Sequence, residues 1–299
     1  MTFDPDLSSV KNGRDRRSNR TCPSVPGKQT ETKMTEWNAR EYGRIAGLQE
    51  AMAAEALSLL DLKGTEHVLD LGCGNGKITA EIAARVPRGS VVGVDASADM
   101  IAFASDHFGS VVRPNLRFQT GDVRCLSLQE EFDLVVSFNA LHWIAEQDLA
   151  LRSIRSALKG DGLAQLRLVP AGKRKSLENV LEETRQSSTW ARYFQQFHDP
   201  YLHLTPEQYS ALAERNGLRV RRIHTEDKAW DFETRAAFSA FGLVTMVEWT
   251  KFLPGSDRHA FVTDVLDRYC QVATDHPGEQ NTFKFYQMDV ILSRSLGST

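Results

Sequence analysis

The stretch Val68-Leu69-Asp70-Leu71-Gly72-Cys73-Gly74-Asn75-Gly76, followed by Val91-Val92-Gly93-Val94-Asp95, decides the fold. Both apolar runs read as buried strands, and the glycines after the first read as a turn into a helix. Small residues let a backbone reverse sharply there and come close to a ligand. Ile78, Ile82 and Val86 then recur at helical spacing, so the helix lays one face on a sheet. Asp95 ends the second strand, where a carboxylate can accept from both hydroxyls of a ribose, since open α/β sheets bind ligands at the carboxyl ends of their strands. The predicted unit is β-α-β with a pocket for an adenosine-containing cofactor. The order Gly72-x-Gly74-x-Gly76 is not the Gly-x-Gly-x-x-Gly of nicotinamide-binding folds, which argues against a dehydrogenase.

Asp70 to Gly76 resembles the first motif of the class I S-adenosylmethionine-dependent methyltransferases, and Asp95 resembles their ribose-binding acid. Further matches follow in order. Gln119-Thr120-Gly121-Asp122 resembles the segment whose acid meets the adenine amino group. Phe132 to Asn139 resembles the strand and loop beside the methionine moiety. Leu158-Lys159-Gly160-Asp161-Gly162-Leu163 resembles the turn entering the fifth strand, where the family more often has Pro-Gly-Gly. The resemblance implies an α/β fold, a Rossmann-like, mostly parallel sheet of seven strands with helices on both faces and a helical cap. It implies S-adenosyl-L-methionine as cofactor, held by Asp70, Gly72, Cys73, Gly74, Asp95, Ala96, Gly121, Asp122, Val123 and Asn139.

The N-terminal region extends the resemblance. Residues 1–33 carry seven Lys or Arg against four Asp or Glu and few large apolar residues, so disorder is expected. Residues 34–62 turn helical in pattern, with Leu48, Met52 and Ala56 on one face. Trp37 and Tyr42 resemble the Trp and Tyr of the trans-aconitate methyltransferase type, in which this segment covers the cofactor; Gln49 adds an amide to the cofactor and substrate pocket. The alternative for both aromatics is that they staple the helix to the domain.

Residues 63–170 are expected to form the cofactor-binding core, and 171–299 the substrate cap plus the last two strands. Within the cap, Lys173 to Phe197 is charged and helical in pattern. Thr205-Pro206-Glu207 starts a helix, Asn216-Gly217 ends it, and Leu218 to His224 reads as the sixth strand. Glu233 to Ala273 is helical, and Thr282 to Leu292 reads as an antiparallel seventh strand. Trp190, Tyr193, Phe194, Phe197, Tyr201, Trp230, Phe238, Phe241 and Trp249 each suit a core, and together they suit a pocket for a partly apolar molecule.

Asn139-Ala140-Leu141-His142-Trp143 follows the fourth strand, near where a transferred methyl group must lie. His142 is the candidate catalytic group, as a base for a hydroxyl or as a neutral donor orienting a carboxylate, with the Trp143 indole N–H beside it. A histidine satisfied within its own loop is the alternative. The Leu-His-Trp run and Ser188-Thr189-Trp190-Ala191-Arg192-Tyr193 resemble the juvenile hormone acid methyltransferases. Arg192, Tyr193 and Arg222 join His142 and Trp143 as candidate substrate contacts, because a guanidinium holds a carboxylate through two parallel hydrogen bonds. For either arginine the alternative is a solvated surface position.

Composition is that of an ordinary globular chain, 41% hydrophobic and 25% charged, with a net charge of −3 over 299 residues. Cys22, Cys73, Cys125 and Cys270 lack metal-ligand spacing; disulfides are not expected, and Cys73 reads as packing. No metal is implied. No apolar run reaches the ~18 residues of a membrane span, and no secretory leader is seen, so a cytoplasmic monomer or homodimer without a membrane partner is expected. Outside residues 1–33 there is no basic stripe, and no Asn-Pro-Pro-Tyr run follows the fourth strand, which speaks against nucleic acid. The expected activity is methylation of a small molecule, O-methylation of a carboxylic acid first. A hydroxylated natural product or a carrier-bound acyl group is the second choice, and a cofactor-binding protein without catalysis the third.

Overall fold

A computed structural model describes residues 46–199 and 201–295. Trp37 and Tyr42 therefore lie outside the described residues, as does the tail expected to be disordered; Gln49 falls within a helix, but its side chain is not described.

Seven strands form one sheet in the order β3-β2-β1-β4-β5-β7-β6. They are β1 (His67–Leu71), β2 (Ser90–Asp95), β3 (Leu116–Thr120), β4 (Phe132–Phe138), β5 (Leu158–Leu168), β6 (Leu218–Asp231) and β7 (Thr282–Arg294). The first five run parallel, and β7 is antiparallel to both β5 and β6. The helices are α1 (Ala46–Ser58), α2 (Lys77–Arg85), α3 (Ala98–Phe108), α4 (Gln147–Ala157), α5 (Leu177–Arg185), α6 (Pro206–Arg215), α7 (Arg235–Thr245), α8 (Val247–Thr250) and α9 (Gly255–Ala273). None of them is long and apolar enough to cross a membrane.

A parallel sheet must be covered on both faces, which is why its central strands β1, β2 and β4 are largely apolar rather than alternating. Leu69, Leu71, Val135, Leu166 and Leu168 pack with Leu151 and Ile154 of α4 and Leu212 of α6 on one face. Val68, Val91 and Val136 pack with Ile82 of α2 and Leu57 of α1 on the other. Local chemistry starts the helices where expected. Thr205 and Gln208 cap each other reciprocally ahead of α6, with Pro206 in its first turn.

Three expectations need correction. The fifth strand begins at Leu158, within the stretch expected to be the turn entering it: Phe132 pairs Leu158 and Leu134 pairs Leu163, so Lys159 to Gly162 bulge out, and the turn survives as an irregularity inside the strand. The sixth strand continues past His224 to Asp231. It lies at the sheet edge with most of its side chains exposed, so no apolar alternation marks its second half. Between Lys173 and Phe197 only Leu177–Arg185 is an α-helix, followed by a single 3-10 turn, Ala191–Tyr193.

The cap is joined to the sheet through β7. Its pairing with β5 stops at Leu168 and Met288, but its pairing with β6 runs on to Thr282. The overhang carries Phe283 and Phe285 into a second core built from Trp190, Phe194, Phe197, Phe238, Phe241 and Trp249. Tyr193, Tyr201 and Trp230 pack against it, so all nine aromatic residues singled out in the sequence belong to this core or its margin. Contacts such as Phe194 on Phe197, edge to face at 5.6 Å, add about 0.5–1.5 kcal/mol each beyond burial.

Candidate active site

Gly72, Gly74 and Gly76 have φ of 73°, 53° and 79°, the left-handed region that glycine enters without penalty. The N–H groups of Gly72 and Cys73 both donate to Val94 O, at 2.8 and 3.1 Å, which seats the turn on the end of β2. A Cβ on Gly72 would stand 2.2 Å from Cβ of Ala140, and one on Gly76 2.7 Å from the Phe118 ring. A Cβ on Gly74 would meet nothing within 4 Å. Two of the glycines are thus demanded by packing, while the third leaves backbone open to a ligand.

Asp95 buttresses the same turn. Its Oδ2 accepts from Gly74 N–H at 2.8 Å and its Oδ1 from Ser97 N–H at 2.9 Å, with Ala96 between them. Asp70 is 2% exposed and accepts from Thr79 Oγ1 at 2.7 Å, tying β1 to α2. Burial, aided by the nearby Asp95 charge, pushes its carboxyl up to about 7. Cys73 is buried beside Gly93, and burial raises its thiol pKa, which suits packing rather than nucleophilic chemistry.

The next candidates follow β3. Gly121 N–H donates to Asp95 O at 2.9 Å, and Val123 is buried in the core. Asp122 is held closely by its neighbour: Oδ1 accepts from Arg124 N–H at 2.9 Å, and Arg124 Nη2 lies 2.6 Å from Oδ2. Arg124 reaches Glu146 as well, at 3.0 Å.

Asn139, the residue after β4, has φ of 55° and donates its N–H to Arg167 O at 2.9 Å. Its Oδ1 is buried with no hydrogen-bond partner. Such an atom is costly unless something donates to it. An unmatched acceptor on the loop that packs against Gly72 through Ala140 fits the ammonium of an amino-acid moiety, and the open backbone at Gly74 fits the nucleoside beside it.

His142 is 3% exposed in the 3-10 turn Leu141–Trp143. Its Nδ1 accepts from Val169 N–H at 3.4 Å, beyond the end of β5, and its ring lies 5.1 Å from that of Tyr201. Burial, with the neighbouring His203 second, lowers its pKa to about 3, so the ring is neutral at physiological pH. Trp143 packs edge-on against Tyr201 at 4.2 Å and lies 6.3 Å from Trp249, joining the post-β4 loop to the cap core. Beside them a cavity of about 190 Å³ is lined by Val169, Pro170, His203, Phe283 and Phe285 among others.

The remaining candidates lie elsewhere. Arg192 Nη2 donates to Tyr193 OH at 2.8 Å, and that hydroxyl donates to Asp257 at 2.8 Å, so this pair is spent within the cap. Arg222 is an exposed residue of the edge strand, in register with Ile291, which faces Gln165 in mid-sheet. The structure does not bring it to the His142 loop. A cluster missed in the sequence does lie close: Arg167, its side chain fully buried, pairs with Asp289 and with Glu55 of α1, which also pairs with Lys228. A charge inside the apolar run Leu166-Arg167-Leu168 was the available signal.

Residues 68–162 match the family model described as a methyltransferase domain. The chain is 30% identical over 272 residues to the trans-aconitate 2-methyltransferase of Deinococcus radiodurans, covering 86% of this chain and 98% of that one. It is 26% identical over 238 residues to putative methyltransferase 235L of Invertebrate iridescent virus 6, covering 80% and 87%. Among solved structures, the YcgJ protein from Bacillus subtilis superposes with a TM-score of 0.60 at 17% identity, over 83% of this chain and all of that one, a likeness of fold.

Proposed function

Since the chain belongs to the S-adenosylmethionine-dependent methyltransferases, we propose that it transfers the methyl group to a carboxylate of a small organic acid, giving a methyl ester. The bound cofactor supplies a methyl group on a positively charged sulfur, already activated for attack. What the protein adds is alignment and exclusion of water. Alignment by itself can contribute on the order of 7–11 kcal/mol.

The observation that carries the choice of acceptor is the state of His142. An imidazole held at about 3 cannot take the proton from a hydroxyl near neutral pH. A carboxylic acid titrates near 4 and arrives ionised, so it brings its own nucleophile. With Nδ1 accepting from Val169, the ring proton belongs on Nε2, which makes His142 a donor suited to hold a carboxylate oxygen. The rings of Trp143, Tyr201 and Trp249, packed edge-on and tilted against one another, give this corner an apolar wall. A relative named for trans-aconitate, itself a carboxylic acid, supports the same class.

The test is incubation with methyl-labelled cofactor and parallel panels of carboxylic acids, phenols and amines. The expected product is a methyl ester, released by mild base. Transfer only to phenols or amines, as a base-stable product, would overturn the assignment.

A further inference from the structure

Gln287 in β7 is 1% exposed, and both its Oε1 and its Nε2 are buried without a hydrogen-bond partner. Among the described residues it alone leaves both polar atoms of a buried side chain unmatched. Gln147, by contrast, has one unmatched oxygen but donates its Nε2 to two backbone carbonyls. A residue that only filled space at Gln287 would be better as Met or Leu, because a buried amide with no partner has given up its water and received nothing.

Its position says what the amide is for. The pairing of β5 with β7 ends at Leu168 and Met288, so Gln287 is the next residue, level with Val169. Val169 is the residue whose N–H meets His142, and Arg167, two residues before it, accepts from Asn139. Alternation along the strand puts Gln287 on the face of Asp289 and Phe285. The glycine turn ends β1, three strands away across β4 and β5, about 14 Å at 4.7–4.9 Å per strand. Gln287 is therefore on the far side of His142 from the cofactor cradle.

We infer that Gln287 binds the methyl acceptor, its Nε2 donating to the carboxylate oxygen that is not methylated. The second oxygen is left free to form the bond to the methyl carbon, while the electrons of the broken sulfur–carbon bond stay on sulfur and no proton moves. This rests on the carboxylate reading above.

The experiment compares wild type, Gln287→Met and Gln287→Asn in three measurements: cofactor Kd by calorimetry, Tm, and kinetics with labelled cofactor against carboxylic acids that include trans-aconitate. For Gln287→Met the expected result is an unchanged or higher Tm, a cofactor Kd within twofold of wild type, and an acceptor KM raised at least tenfold. Gln287→Asn keeps an amide on a shorter stem and is expected to fall between them. An acceptor KM within twofold of wild type in Gln287→Met overturns the role of Gln287 and leaves the carboxylate reading standing. A cofactor Kd raised tenfold overturns it in favour of a cofactor contact. A wild-type enzyme that esterifies none of the acids overturns both.

Discussion

The guanidinium of Arg167 is fully buried and held side-on by Asp289, Nε to Oδ1 at 2.8 Å and Nη2 to Oδ2 at 2.9 Å, across the junction of β5 and β7. The same arginine reaches Glu55 of α1 at 3.3 Å, while its backbone oxygen receives Asn139 N–H. One residue thus ties the helix over the sheet, the antiparallel strand and the loop after β4 together. Removing one partner of a buried pair strands the other charge, at about 3–5 kcal/mol. Asp289→Ala is expected to lose stability on that scale in urea denaturation. The double variant Arg167→Met, Asp289→Leu should recover most of it, and a double variant no better than Asp289→Ala would deny the pairing its role.

The pH dependence follows from two buried groups of opposite sign. His142 falls from 6.5 to about 3 on folding, so the stability it contributes is complete above pH 6.5 and is lost as the unfolded chain takes up the proton between 6.5 and 3. His142→Gln should flatten the acid limb of Tm against pH. In wild type, kcat/KM should show no titration near 6.5, and a clear histidine step there would contradict the neutral ring.

Asp70 rises from 3.8 to about 7, so its effect runs the other way. Stability present below 3.8 is lost as pH climbs toward 7, because the unfolded carboxyl ionises first. Asp70→Asn should remove that slope between pH 4 and 7 while keeping a contact with Thr79. An unaltered slope in calorimetry would place the effect elsewhere.

The glycine turn makes a graded prediction. Gly72→Ala puts a methyl 2.2 Å from Ala140 at φ of 73°, whereas Gly74→Ala meets no protein atom. Gly72→Ala should lower Tm strongly and cofactor affinity with it, and Gly72→Ala with Ala140→Gly should relieve the clash but not the backbone strain of about 1–2 kcal/mol. Gly74→Ala should keep a near-native fold and weaken cofactor binding, since its new methyl occupies the ligand's side. Unchanged affinity in Gly74→Ala would argue that no ligand approaches there.

The β-α-β unit, the glycine turn with Asp95, the helix start at Thr205 and the cap's aromatic content were legible in the chain itself. Each rests on contacts between residues near in sequence or on a period that one strand or helix imposes, and such patterns need no partner to be read. The neutral state of His142, the pairing of Arg167 with Asp289 and Glu55, and the unmatched amide of Gln287 were decided only by the tertiary structure. Burial and pairing bring together residues distant in the chain, 27 positions apart for His142 and Val169 and 122 for Arg167 and Asp289, at the end of β5, and linear spacing does not carry that information. The remoteness of Arg222 has the same origin, for it followed from β6 lying at the sheet edge.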